Sequence, residues 1–183
     1  MKNAPSLMLL PNGFLRPLAA DDVTQAYIDG LNSSDVNRFL VEPNRQLQTR
    51  ETVVSFVEQN LSASDSILFG LFVENIHRGN LRLHDIGDLS AYLGIALFDR
   101  AIWGQGWASR SIVEVAKYAF NDLGLSYVVA GIAHANTASE RAFAKAGFLP
   151  AIDLGLASKF PASGDGQMWV RTKTSRACAE HRL

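Results

Sequence analysis

The residues with the clearest chemical potential lie in Trp103-Gly104-Gln105-Gly106-Trp107-Ala108-Ser109, a glycine-rich turn that opens a helix. The first N–H groups of a helix lack intrahelical partners and sit at the positive end of its dipole, so such a turn favours an anion. Glycine also lets a phosphate approach the backbone with no Cβ in the way. Steric needs alone produce the same turn, and neither of two better-known phosphate loops is present. No Gly-x-x-x-x-Gly-Lys-Ser/Thr string occurs. The dinucleotide fingerprint fails because Ser109 takes its third glycine position, and no Asp or Glu lies between Leu123 and Ser139 to hold a ribose. His77, His84, His134 and His181 show no metal-ligand spacing, and Cys178 is the lone cysteine, so neither a metal site nor a disulfide is expected. Phe69, Phe72, Tyr92 and Phe98 read as sheet core rather than as a stacking platform for bases. Asn44, Arg45 and Arg50 read as a solvated helix start rather than an anion site.

These residues need elements to position them. The chain has 183 residues, 48% hydrophobic and 19% charged, which suits one globular domain over residues 1–171 with a polar tail over 172–183. Seventeen basic and eighteen acidic side chains leave a net charge of -1, which argues against a nucleic-acid partner. No apolar run approaches the ~18–20 residues of a membrane span. Leu7–Leu10 is too short for a signal-peptide core, so a cytoplasmic location is expected. Phe14–Leu18 reads as the first strand, and a helix begins after Asp21 and Asp22. Thr49 is the N-cap of a second helix. Ser66–Val73, Gly79–Leu83 and Ser90–Phe98 form an antiparallel meander. Ile112, Val113, Ala116, Ala119, Phe120 and Leu123 mark one face of the helix after the glycine turn, and Gly124 ends it. Tyr127–Ala133 is a buried-type strand, and Ala138–Ala146 is a short helix stopped by Gly147. A strand starts at Phe148, and Met168–Arg171 closes a hairpin across Gly164-Asp165-Gly166. The fold class is α+β (mixed α/β) around one sheet.

One longer pattern remains. Arg100-x-x-Trp103-Gly104-Gln105-Gly106-Trp107-Ala108-Ser109 is followed by Asn136-Thr137-Ala138-Ser139, then by Arg141, Phe143, Lys145, Gly147 and Phe148. This resembles the GNAT superfamily of N-acetyltransferases, in particular its RimJ/RimL-like branch, which acetylates ribosomal-protein N-termini. The resemblance covers about residues 90–150. It implies a mostly antiparallel sheet flanked by helices, with a splayed strand pair, and acetyl-CoA as co-substrate. It also implies that Gly94–Phe98, with Leu97 and Phe98 nearest the loop, pairs with the pantetheine arm. The N–H groups of Gly104, Gln105, Gly106, Trp107, Ala108 and Ser109 would cradle the pyrophosphate. Asn136 would bond the pantetheine, and Ser139 would lie beside the sulfur as the catalytic thiolate partner. Three positions depart from the pattern. Ala101 stands where the common loop has Arg or Gln, Arg110 where the branch often has Glu, and Phe143 where many members carry a Tyr that protonates the thiolate.

The implied reaction needs a neutral amine, because only an unprotonated nitrogen attacks a thioester. A lysine amine near pKa 10.4 needs a base at pH 7, whereas an α-amine near 7.7–8.0 needs little help. Glu42, His84, Asp85 and His134 are the candidates for a general base, and none sits in a diagnostic motif. The expected acceptor is the α-amine of a protein or peptide. An amino sugar or other small-molecule amine is the alternative acceptor, and a non-catalytic acyl-CoA-binding module the alternative role. Oligomeric state is not legible in this sequence.

Overall fold

The computed structural model describes residues 4–9, 12–40, 46–162 and 164–173. Its sheet is organised around β3 (Ile67–Val73), whose seven residues are all buried. A strand covered on both faces reads as a continuous apolar run, as this one does. Ile67, Phe69, Leu71 and Val73 point into one core, while Leu68 and Phe72 enter a second with Leu18, Tyr27, Val53 and Val57. The first core is closed by α4 (Trp107–Asn121), where Ile112, Val115, Ala116 and Ala119 have no exposed surface. The second is closed by α1 (Gln25–Asn32), α2 (Ser34–Asn37) and α3 (Arg50–Ser62). With α5 (Thr137–Lys145), these are the α-helices of the described residues.

The other strands are β1 (Leu7–Leu9), β2 (Gly13–Pro17), β4 (Ile76–His84), β5 (Ser90–Leu97), β6 (Tyr127–Ala133), β7 (Leu149–Pro150) and β8 (Gly166–Thr172). The spatial order is β1-β2-β3-β4-β5-β6-β8-β7, antiparallel except between β5 and β6. This is the expected mixed α/β sheet. Among the described residues no helix is long and apolar enough to cross a membrane.

The feature that makes the site is a fork. β5 and β6 pair only at Ser90–Tyr127, Ala91–Val128 and Tyr92–Val129. Beyond those pairs the strands part: β5 stays paired with β4 as far as Leu97, and β6 stays paired with β8 as far as Ala133. The inner edges therefore present backbone groups that no neighbouring strand satisfies.

Several local expectations need correction. Phe14 lies in the second strand, because Leu7–Leu9 adds a short edge strand paired to it. Asp21 and Asp22 themselves form a single 3-10 turn, Ala20–Asp22, ahead of the expected helix. The helix itself starts at Gln25, where the Thr24 hydroxyl accepts from the Tyr27 N–H. No tight hairpin closes across Gly164: β7 ends at Pro150 and residues 151–165 intervene before β8. The last strand also runs one residue past the expected domain end, to Thr172. Thr49 does cap α3, and Gly124 and Gly147 do take left-handed backbone.

Candidate functional site

At the mouth of the fork, Asp99 follows β5 by two residues and caps the 3-10 turn Arg100–Ile102 through the Ala101 N–H. Its carboxylate also pairs with Arg78 on β4, which ties the loop to the sheet. Burial alone would raise its pKa, but the Ala101 N–H and Arg78 outweigh that and hold it low. The glycine turn follows, with Gly104 at φ 73 and Gly106 at φ 79. Gly106 is the N-cap of α4 and has no side chain to satisfy the helix. The first N–H groups of α4 therefore remain available to a ligand. Trp107 anchors the turn: its buried ring fills the space over Gly13 of β2 that a Cβ there would occupy.

A cleft of 560 Å³ opens at this helix start. Of the residues expected to hold the cofactor, Leu97, Gly104, Gly106, Trp107, Ala108, Ser109, Asn136 and Ser139 line it. Two others stand aside. Phe98 packs in the second core, its ring 4.8 Å from Tyr27 and 4.9 Å from His77. Gln105 is exposed and donates back to the Ala101 carbonyl at 2.7 Å. The carbonyl of Leu97 is occupied by the Trp103 indole N–H at 2.9 Å. Sequence reasoning did not assign the cations Arg38, Arg141 and Lys145 to this cleft, although Arg141 and Lys145 lie four apart on α5. The only acid among the described lining residues, Asp35, pairs with Arg100. That pairing takes Arg100 away from a phosphate role, and it leaves the cleft with an excess of positive charge.

A second cavity, of 230 Å³, lies between the arms of the fork and the α1–α3 layer. It shares Ile95, Ala96, Asn136 and Ser139 with the cleft, so the two meet there. Asn136 caps α5: its Oδ1 accepts from the Ser139 N–H at 3.1 Å, which leaves Nδ2 for a ligand. Ser139 lines both spaces. Phe143 reaches the same wall, but its ring is buried in an edge-on contact with Phe148 and donates nothing.

The floor of this cavity is β4 and β5 in register, Asn80 beside Ala96, Arg82 beside Gly94 and His84 beside Tyr92. Asn80 links two other groups, accepting from His77 at 2.8 Å and donating to the Tyr27 hydroxyl at 2.6 Å. Burial pushes the Tyr27 hydroxyl up to about 12. It therefore stays protonated, with its own proton available to the cavity. Among the four base candidates, His84 lines the cavity, with Nδ1 3.1 Å from the Asp85 carboxylate. Burial and then the positive charge of Arg82 lower its pKa, so it is neutral at pH 7. Asp85 itself is exposed and reaches the site only through His84, and His134 is exposed and lines neither space. Glu42 lies outside the described residues. Tyr27, Asn80 and Arg82 were missed by sequence reasoning, because no local motif connects them.

The sequence matches the acetyltransferase (GNAT) domain over residues 14–149. The chain belongs to the GNAT acetyltransferase family. It is accordingly an N-acetyltransferase that uses acetyl-CoA. Among curated proteins, none matches at a significant level. Solved structures share the fold. RimL, a ribosomal L7/L12 α-N-protein acetyltransferase solved with coenzyme A, superposes with a TM-score of 0.76 at 18% identity, covering 92% of this chain and 98% of that chain. The ribosomal-protein-S5-alanine acetyltransferase from Vibrio fischeri gives 0.75 at 17%, with 93% and 98% covered. A spermidine N-acetyltransferase from Vibrio cholerae, solved with CoA and spermine, gives 0.72 at 15%, with 90% and 97% covered. This GNAT chain thus has the architecture of enzymes named for quite different amines.

Proposed function

We propose that this acetyltransferase moves the acetyl group of acetyl-CoA onto the α-amine of a protein or peptide. The observation that carries the reading is the meeting of two spaces, one at the open start of α4 and one between the arms of the fork, at Ala96, Asn136 and Ser139. The larger, with the open helix start of α4 and the cations Arg38, Arg141 and Lys145, fits a diphosphate and its pantetheine arm. The smaller has no Asp or Glu among its described lining residues. A polyamine carries several positive charges and would meet Arg82 there with nothing to offset it. A peptide N-terminus brings one amine, already partly neutral at pH 7.

Acetyl-CoA supplies an acetyl group activated as a thioester, and the chain supplies the rest. The N–H groups at the start of α4 hold the diphosphate, and Asn136 Nδ2 orients the arm. A backbone N–H on the unpaired edge of β5 stabilises the developing oxyanion. Ser139 donates a hydrogen bond to the departing thiolate in place of the tyrosine that Phe143 replaces. His84, neutral and oriented by Asp85, takes the proton of the attacking amine through water. The test is thiol release at saturating acetyl-CoA with a peptide α-amine, a lysine peptide and an amino sugar. The α-amine should be favoured at least tenfold in kcat/KM. Preference for the amino sugar would promote a small-molecule acceptor, and tight acetyl-CoA binding without transfer to any amine would favour a silent binding module.

A further inference from the structure

We infer that Arg82 selects acceptors with a carboxylate close to the reacting amine, in peptide terms an acidic side chain at the second residue. The inference deepens the peptide reading above and rests on it. Among the described residues, Arg82 is braced along one edge only. Its Nε donates to Asn60 Oδ1 at 2.8 Å and to Ser66 Oγ at 3.2 Å, and its guanidinium stands 5.3 Å from the centre of the Phe56 ring. The brace is itself fixed, since Asn60 donates to the Phe56 carbonyl at 2.7 Å and accepts from Ser66 at 2.5 Å. Asn60 and Ser66 are both buried. This arrangement uses Nε and leaves the two terminal nitrogens as a pre-oriented fork at the cavity wall.

No carboxylate among the described residues forms an ion pair with that fork. The described acids that do pair are taken elsewhere, Asp22 by Arg16, Asp99 by Arg78, Asp35 by Arg100 and Glu114 by Lys117, and Asp85 lies against His84. The neighbouring His84 carries no negative charge in any state. A guanidinium held in a partly apolar cavity gains most from an anion that it can bind through two parallel N–H donors, and a carboxylate has that geometry. The spacing sets where the carboxylate belongs. The junction of the two spaces lies at Ala96, which is in register with Asn80, and Arg82 is two residues further along β4. Two residues of strand span about 7 Å, close to the reach from an α-nitrogen to the side-chain carboxylate of the next residue.

The test uses the full chain, acetyl-CoA and peptides that differ only in the second residue: Glu, Gln, Lys or phosphoserine. Glu should exceed Gln about tenfold in kcat/KM, mostly through KM, and Lys should be the poorest. A phosphoserine peptide that outruns Glu would replace the carboxylate with a phosphate and overturn the assignment. Arg82→Glu should reverse the order of the Glu and Lys peptides, while Arg82→Lys should keep the acidic preference in weakened form. A variant that merely loosened the fold would slow all peptides alike, so equal slowing, with acetyl-CoA affinity and Tm unchanged from wild type, would sink the inference. If no peptide reacts but free amino acids do, with a preference for acidic ones that Arg82→Glu abolishes, the peptide reading falls and carboxylate selection by Arg82 stands.

Discussion

Replacing Gly94 with valine should separate acceptor binding from cofactor binding without disturbing the fold. An added Cβ at Gly94 meets no atom within 4 Å, and the position faces the smaller cavity but not the larger cleft. The backbone there lies outside the left-handed region, so a β-branched residue is not strained. Valine suits a strand, and glycine inside one costs about 0.5–1 kcal/mol relative to alanine, so Tm should stay level or rise. On the proposed reading, the new side chain stands in the space that the acceptor fills. Forcing extra methyl groups into a filled space costs roughly 1–3 kcal/mol, equivalent to a loss of about 5- to 150-fold in kcat/KM for the amine. Calorimetry should return wild-type affinity for acetyl-CoA. Steady-state thiol release with a peptide α-amine measures the loss. Unchanged turnover would show that the acceptor does not use this cavity, and a parallel fall in acetyl-CoA affinity would show that the two spaces are not independent.

Gly106→Ala should weaken acetyl-CoA binding measurably by calorimetry, because left-handed backbone costs a non-glycine residue about 1–2 kcal/mol and the new Cβ would sit 3.0 Å from the Arg110 guanidinium. Ser139→Ala should leave acetyl-CoA affinity near wild type while slowing turnover by about 10²–10⁴-fold if its hydroxyl serves the thiolate; an unchanged single-turnover rate would hand that role to water. Asn136→Ala should lower both cofactor affinity and Tm, since the cap of α5 is worth about 0.5–2 kcal/mol in addition to any bond to the ligand. Burial lowers the pKa of His77, so the unfolded chain takes up the proton first as pH falls through the ordinary histidine value of about 6.5. Stability should therefore decline on acidification from pH 7 to 5, and the decline in Tm should be shallower in His77→Gln; equal slopes would remove His77 from the acid response.

What the sequence determined by itself was local. The Gly104–Ser109 turn, the buried stripe of α4 and the Asn136–Ser139 cap are each written within a few residues, because helix starts, caps and apolar periodicity depend on near neighbours. Those segments were enough to indicate the family. Edge strand β1 was not legible, because three residues acquire strand structure only by pairing with Gly13–Leu15. The fork was expected only through the family resemblance, which implied a splayed strand pair; where the strands part was a tertiary result, since the pairing of β5 with β6 stops at Tyr92 and Val129. The smaller cavity was wholly a tertiary product. Tyr27, Asn80, Arg82, Gly94 and Ser139 come from four elements, α1, β4, β5 and α5, and no single short motif spans them. Local hydrogen bonding chooses where a helix begins, whereas only the register of β4 on β5 and the packing of α1 and α3 over them bring a guanidinium, an amide and a hydroxyl to one wall.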